Sequence, residues 1–237
     1  MFTVTSQSNK PSAATMRRFA WMWLCMPLGF GLMLFLPAGT LVWHGGWLYV
    51  AVFIAFMVVA AVVLWRVNPE IYDARSRLRA GAKDWDKVLL CFLVLAMVAI
   101  FPVAAIDAVR FGWSEVPWWG VGVGYVLLLA GLIASAWAEA VNKFFEPMVR
   151  IQTDRGHTVI DTGPYAYVRH PGYVGAVLFC AGTALALGSL WALVPAAIAT
   201  ALFVLRTKWE DRTLQEELPG YKQYATRIRY RLLPGVW

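Results

Sequence analysis

Charge is scarce in this chain. Asp, Glu, Lys and Arg make up 15% of its 237 residues, against ~25% in soluble domains. Hydrophobic residues make up 60%, more than a soluble core of this length needs. The shortage excludes an ordinary soluble domain and points to an all-α, polytopic integral membrane protein. Histidine and cysteine are also few, three of each. Cys25, Cys91 and Cys180 lie in separate apolar segments without metal-ligand spacing such as CxxC. They read as small buried apolar residues, so neither a disulfide framework nor a metal site is expected.

What charge there is has a net value of +7. It gathers in the breaks between apolar runs, which favours a membrane surface over nucleic acid as its partner. Residues 1 to 15 are polar and are expected to be mobile. Arg17 and Arg18 precede a run from Phe19 to Val42 that exceeds the ~7–15 apolar residues of a signal peptide, so a retained first span is expected. Further spans are read at Trp47–Trp65, Val88–Ile106, Trp118–Ala138, Tyr173–Leu187 and Leu190–Leu205, about six in all. The last two form a C-terminal helical hairpin, and a charged amphipathic tail follows from Arg206. None of the six spans holds a charge.

Six spans fix an orientation. Arg110 alone falls on one side, and the other 20 of 21 Lys and Arg residues on the opposite one. That side is the cytoplasm by the positive-inside rule, and it receives both termini. Two segments are separated on this basis: 1–138 with four spans, and 139–237 with a polar loop, the hairpin and the tail.

The stretch Gly163-Pro164-Tyr165-Ala166-Tyr167-Val168-Arg169-His170-Pro171-Gly172-Tyr173 packs polar, aromatic and turn-forming residues between two apolar runs, on the cytoplasmic side. Its prolines lack N–H groups, and its glycines tolerate positive φ. Arg206 and Glu210 stand four apart, on one helix face, and leave the membrane one hairpin later. A hairpin returns the chain to where it began, so the two clusters should be neighbours. The bland reading of Arg206 and Glu210 is a surface ion pair of small worth. Glu139 and Asn142 end the fourth span, where a functional ionisable residue at membrane depth and a solvated helix end are equal readings; His157 in isolation reads as a surface histidine. Gly120-Val121-Gly122-Val123-Gly124 lacks the strand–turn–helix context of a nucleotide loop; Gly120 and Gly124 instead suit close helix approach.

The set Gly163-Pro164-Tyr165, Arg169-His170-Pro171-Gly172-Tyr173-Val174-Gly175, Arg206-x3-Glu210 and Leu218-Pro219-Gly220-Tyr221-Lys222-Gln223-Tyr224 resembles the isoprenylcysteine carboxyl methyltransferase family and its phospholipid methyltransferase relatives. The resemblance runs from about Asn142 to Pro234. Asp211 stands where relatives often have a second Glu. The resemblance implies a membrane enzyme transferring a methyl group from S-adenosylmethionine. Carried over by position, Gln152, His157, Thr158, Val159, Ile160, Tyr165, His170, Pro171, Gly172, Tyr173 and Glu210 are cofactor-pocket residues. Arg206 and Glu210 are the catalytic pair, with Arg206 on the substrate side. The acceptor it implies is lipophilic and enters from the bilayer, by family default the carboxylate of a prenylated cysteine. A phospholipid, or a small thiol, amine or carboxylate, stays open as acceptor. So does a membrane reductase using NADPH. A non-catalytic membrane protein or transporter is the third class.

Overall fold

The computed structural model describes residues 13–75 and 81–237. The expected mobility of residues 1 to 15 falls mostly outside them, and Ala13 already opens a helix. The described elements are helical: α1 (Ala13–Ala38), α2 (His44–Val67), α3 (Glu70–Arg75), α4 (Asp84–Ala105), α5 (Trp118–Val141), α6 (Pro171–Ala186), α7 (Leu193–Glu217) and α8 (Tyr221–Arg227). Two 3₁₀ turns, Thr153–Arg155 and Gly163–Ala166, lie between α5 and α6.

Three described helices are long and apolar enough to cross a bilayer: His44–Val67, Asp84–Phe111 and Trp118–Val141. Cys25–Ala38 and Pro171–Ala186 are shorter apolar stretches. Many large apolar side chains face outward, among them Leu36, Val59, Phe92, Leu95, Val126 and Ile133. Their solvent is hydrocarbon, and the molecule is a helical integral membrane protein. The same geometry corrects the reading of the cysteines: Cys25 and Cys91 are exposed on the outer surface, and only Cys180 is buried.

The closest helix pair is α5 with α6, and glycine makes it possible. A Cβ on Gly124 would lie 2.3 Å from the Ala186 nitrogen, and one on Gly131 would lie 2.6 Å from the Gly175 oxygen. From the other side, Gly182 would strike the Leu128 nitrogen at 2.3 Å. Small residues on facing stripes let backbones approach where lipid offers no hydrophobic drive. Gly124 thus packs as expected. Gly120 does not: its nearest neighbours are Val116 and Pro117, at the start of its own helix.

Helix α4 runs on past Ala105 through a π-helical turn, Ile106–Phe111. The expected span ended at Ile106; its continuation brings Asp107 onto the last turn, fully buried. That carboxylate accepts from Ser114 N at 2.9 Å, Ser114 Oγ at 2.5 Å and Ser189 Oγ at 2.5 Å. Ser189 sits in the turn joining α6 to α7, so Asp107 fastens the far end of that hairpin.

Helix α7 does not stop where the apolar sequence ends at Leu205. It continues to Glu217, 25 residues in all, or ~37 Å at 1.5 Å per residue. Its inward stripe of Ala199, Phe203, Arg206, Thr207 and Asp211 is buried. The spacing of three or four keeps those residues on one face, which carries apolar packing straight into a polar cluster.

Candidate active site

Where α4, α5, α6 and α7 meet at the end carrying the polar loops, they enclose a cavity of about 330 Å³. One end is apolar, lined by Leu90, Leu93, Val94, Met97, Ala176 and Phe203. The other is polar, walled by the segment between α5 and α6 and by the second half of α7.

Gln152, His157, Thr158, Val159, Ile160, Tyr165, His170, Gly172, Tyr173, Arg206 and Glu210 all line it. Pro171 does not; it is the buried first residue of α6. Gly172 beside it faces Phe145, whose ring would lie 2.7 Å from an added Cβ. Gly163 takes φ +58° to start its 3₁₀ turn, the left-handed backbone that favours glycine.

The two clusters separated by the hairpin do meet. Tyr173 Oη donates to Glu210 Oε2. The His170 and Tyr173 rings stack at 5.7 Å with 1° between their planes. Arg206 Cζ lies 5.4 Å from the Tyr173 ring centroid. Arg206 is not the surface partner of Glu210. It is buried, and its Nε and Nη2 donate to Asp86 Oδ1 and Oδ2 at 2.7 and 3.0 Å.

Asp211 is the other buried hub. It receives Arg169 Nε and Nη2 at 2.7 and 2.9 Å, Arg231 Nε at 2.8 Å and Tyr221 Oη at 3.2 Å, with His170 Nε2 at 3.4 Å. Burial alone would raise its pKa, but the bonds from His170, Arg169 and Arg231 hold it well below the usual carboxylate range. Arg169 also donates to the carbonyls of Ile228 and Arg229 at 2.8 and 2.9 Å. Two backbone bonds, from Arg169 N to Tyr230 O and from His170 N to Arg231 O, complete the docking of the C-terminal segment over the motif.

The loop wall is held from within. Gln152 Nε2 donates to Phe144 O at 2.6 Å, and its Oε1 accepts from Arg155 at 2.7 Å, so this side chain is occupied by the loop itself. His157 Nδ1 accepts from Gln152 N at 3.3 Å. Burial, then the charges of Arg150 and Arg155, push the His157 pKa down to about 4, so the ring is neutral at physiological pH. Asn142 Nδ2 donates to Tyr165 Oη at 3.1 Å, and Tyr224 Oη donates to Tyr165 O at 2.7 Å. Burial raises the Tyr165 pKa, so the phenol stays protonated. Thr158, Val159 and Ile160 form no regular structure. Among the described residues, no hydrogen bond reaches their backbone groups, which therefore stand open to a ligand.

Asp86 and Asp211 escape a reading of the sequence for different reasons. Asp86 sits among loop charges and looks like a solvated helix start. Asp211 follows Glu210 directly, but its spacing of four from Thr207 puts it on the buried stripe, a signal that was present.

Four likenesses bear on this site. A model of the phospholipid methyltransferase family matches residues 119–219, a range containing the motif and all of α7. Protein-S-isoprenylcysteine O-methyltransferase of Schizosaccharomyces pombe is 27% identical over 165 residues, 64% of this chain and 59% of that protein. A probable protein-S-isoprenylcysteine O-methyltransferase of Oryza sativa subsp. indica is 24% identical over 177 residues, 73% of this chain and 93% of that protein. The cobalt-zinc-cadmium resistance protein CzcN of Cupriavidus metallidurans is 33% identical over 120 residues, 49% of this chain and 53% of that protein. The chain thus spans about three-fifths of the yeast relative and nearly all of the rice one. The family model and the yeast and rice proteins are methyltransferases by name, and that is the class the chain is similar to. Over these stretches the chain is similar to isoprenylcysteine methyltransferases, the family that the motif from Gly163 to Gly175 resembles.

Proposed function

We propose that the protein transfers a methyl group from S-adenosylmethionine to a lipophilic acceptor, by default the carboxylate of an S-prenylated cysteine. The observation that carries this reading is one cavity with an apolar end and a polar end, the polar end lined by the matched motif.

The residues present fit the cofactor. S-adenosylmethionine brings a sulfonium-bound methyl, an amino-acid end and an adenine. Glu210 would accept from the ammonium group, and a tyrosine face would favour the cationic sulfur by ~0.5–2 kcal/mol. The open peptide groups of Thr158 to Ile160 offer donors and acceptors to a base edge. Amides at the start of α6, with His170, would meet the carboxylate. Neutral His157 and protonated Tyr165 complete this wall without adding charge.

The apolar end, from Leu90 to Phe203, would take the acceptor's chain from the bilayer. Methyl transfer is an in-line displacement, and the protein's part is to hold the acceptor near 3–3.5 Å from the methyl carbon. An acceptor carboxylate needs no general base. Its oxygen forms the C–O bond as the C–S bond breaks, the C–S electron pair stays on sulfur as a neutral thioether, and no proton moves. In this reading both termini and the polar end of the cavity face the cytoplasm, with six spans: the three long apolar helices, the two shorter apolar stretches and the first part of α7.

The test is transfer of radiolabelled methyl from S-adenosylmethionine to a total lipid and membrane-protein extract, with Glu210→Gln as control. Label in base-labile esters supports the reading, and label in lipid headgroups moves the acceptor to phospholipid. No label, with NADPH oxidised instead, would make the protein a reductase.

A further inference from the structure

Asp86 lies outside the matched range of 119–219, and no motif contains it. Yet it is fully buried two residues after Asp84, whose side chain is 95% exposed. The Val149 amide donates to Asp86 Oδ2 at 2.7 Å, and Arg206 donates to both carboxylate oxygens. Arg206 Nη2 donates in addition to the Pro147 carbonyl at 2.6 Å. The fork of Arg206 is thereby spent on Nε and Nη2. Among the described residues no hydrogen bond is made by Nη1, and Arg206 lines the cavity.

Resting on the methyltransferase reading above, we propose that Asp86 is the positioning residue of the acceptor site: it fixes Arg206 so that Nη1 alone meets the acceptor's carboxylate, and it shares the guanidinium charge. A carboxylate clamped by a whole, uncompensated guanidinium would bind well and attack poorly, because its lone pairs would be tied up in the ground state. Held through one nitrogen of an arginine already paired with Asp86, one oxygen is oriented while the other keeps its lone pairs for the methyl carbon. The charge sharing trades acceptor affinity for turnover.

The test uses the full chain in detergent, with S-adenosylmethionine titrated calorimetrically and an S-farnesylated N-acetylcysteine as acceptor. In Asp86→Asn the cofactor Kd stays within about twofold of wild type. The acceptor KM falls about threefold or more, and kcat falls about tenfold, since removing ground-state tension lowers both together. In Asp86→Asn/Arg206→Gln, which keeps the buried pair neutral, the fall in KM relative to Arg206→Gln vanishes. A raised or unchanged KM in Asp86→Asn overturns the proposal, as does lost cofactor binding in that variant, because Asp86 would then serve the fold alone. So do effects that multiply independently in the double variant. Wild type that binds cofactor but leaves this acceptor unmethylated also overturns it, whereas wild type that binds no cofactor overturns the methyltransferase reading beneath it.

Discussion

At the scale of single residues, the site is organised by buried carboxylates. Asp211 gathers two arginines, a histidine and a tyrosine from three parts of the chain. Removing one charge from a buried pair leaves its partner uncompensated, at a cost of ~3–5 kcal/mol. Asp211→Asn should therefore lower the melting temperature in detergent and expose residues 228–237 to limited proteolysis. The native carboxyl titrates below its unfolded value, so the native state binds fewer protons. The stability this confers is present above about pH 4 and fades as pH falls further, toward the native value. His157 follows the same sign over a higher window. Burial and two arginines put its native pKa at about 4, against ~6.5 in the unfolded chain. Its contribution is complete above the unfolded value and is lost as pH falls toward 4. Melting curves between pH 7 and pH 4.5 should show this decline, and His157→Gln should flatten part of it.

At the scale of elements, the α5–α6 crossing and the long α7 place everything else. At Gly131, an added Cβ meets two backbone atoms of α6 at 2.6 Å, whereas Gly122 faces open space. Gly131→Ala should destabilise by ~1–3 kcal/mol through overpacking, and Gly122→Ala should be nearly neutral; denaturant titration compares the two. Much of this level could be read from the chain alone. Hydrophobic runs gave the helices, and hairpin logic brought Tyr173 to Glu210. Run lengths gave poor boundaries. Helix α7 outlasts its apolar sequence because Arg206 and Asp211 find buried partners in Asp86 and Arg169. Composition reads such residues as tail. Long-range charge pairs leave no local periodicity, so Asp86 could not be found from its neighbours, and neither could the burial of Asp107 beside Ser189. Gly120 shares a face with Gly124, but α6 ends at Ala186, opposite Gly124, so one turn further along that face meets no helix, and glycine spacing does not show where the partner ends.

At the scale of the whole molecule, one cavity in a membrane protein joins an apolar region to a polar wall. The polar wall is proposed to bind S-adenosylmethionine. Isothermal titration of the detergent-purified chain tests this most directly. One equivalent should bind, and Glu210→Gln, which removes a charge-assisted bond of ~1.5–3 kcal/mol, should weaken binding about 10- to 100-fold. Absence of heat with S-adenosylmethionine, together with saturable binding of NADPH to the same protein, would contradict the account.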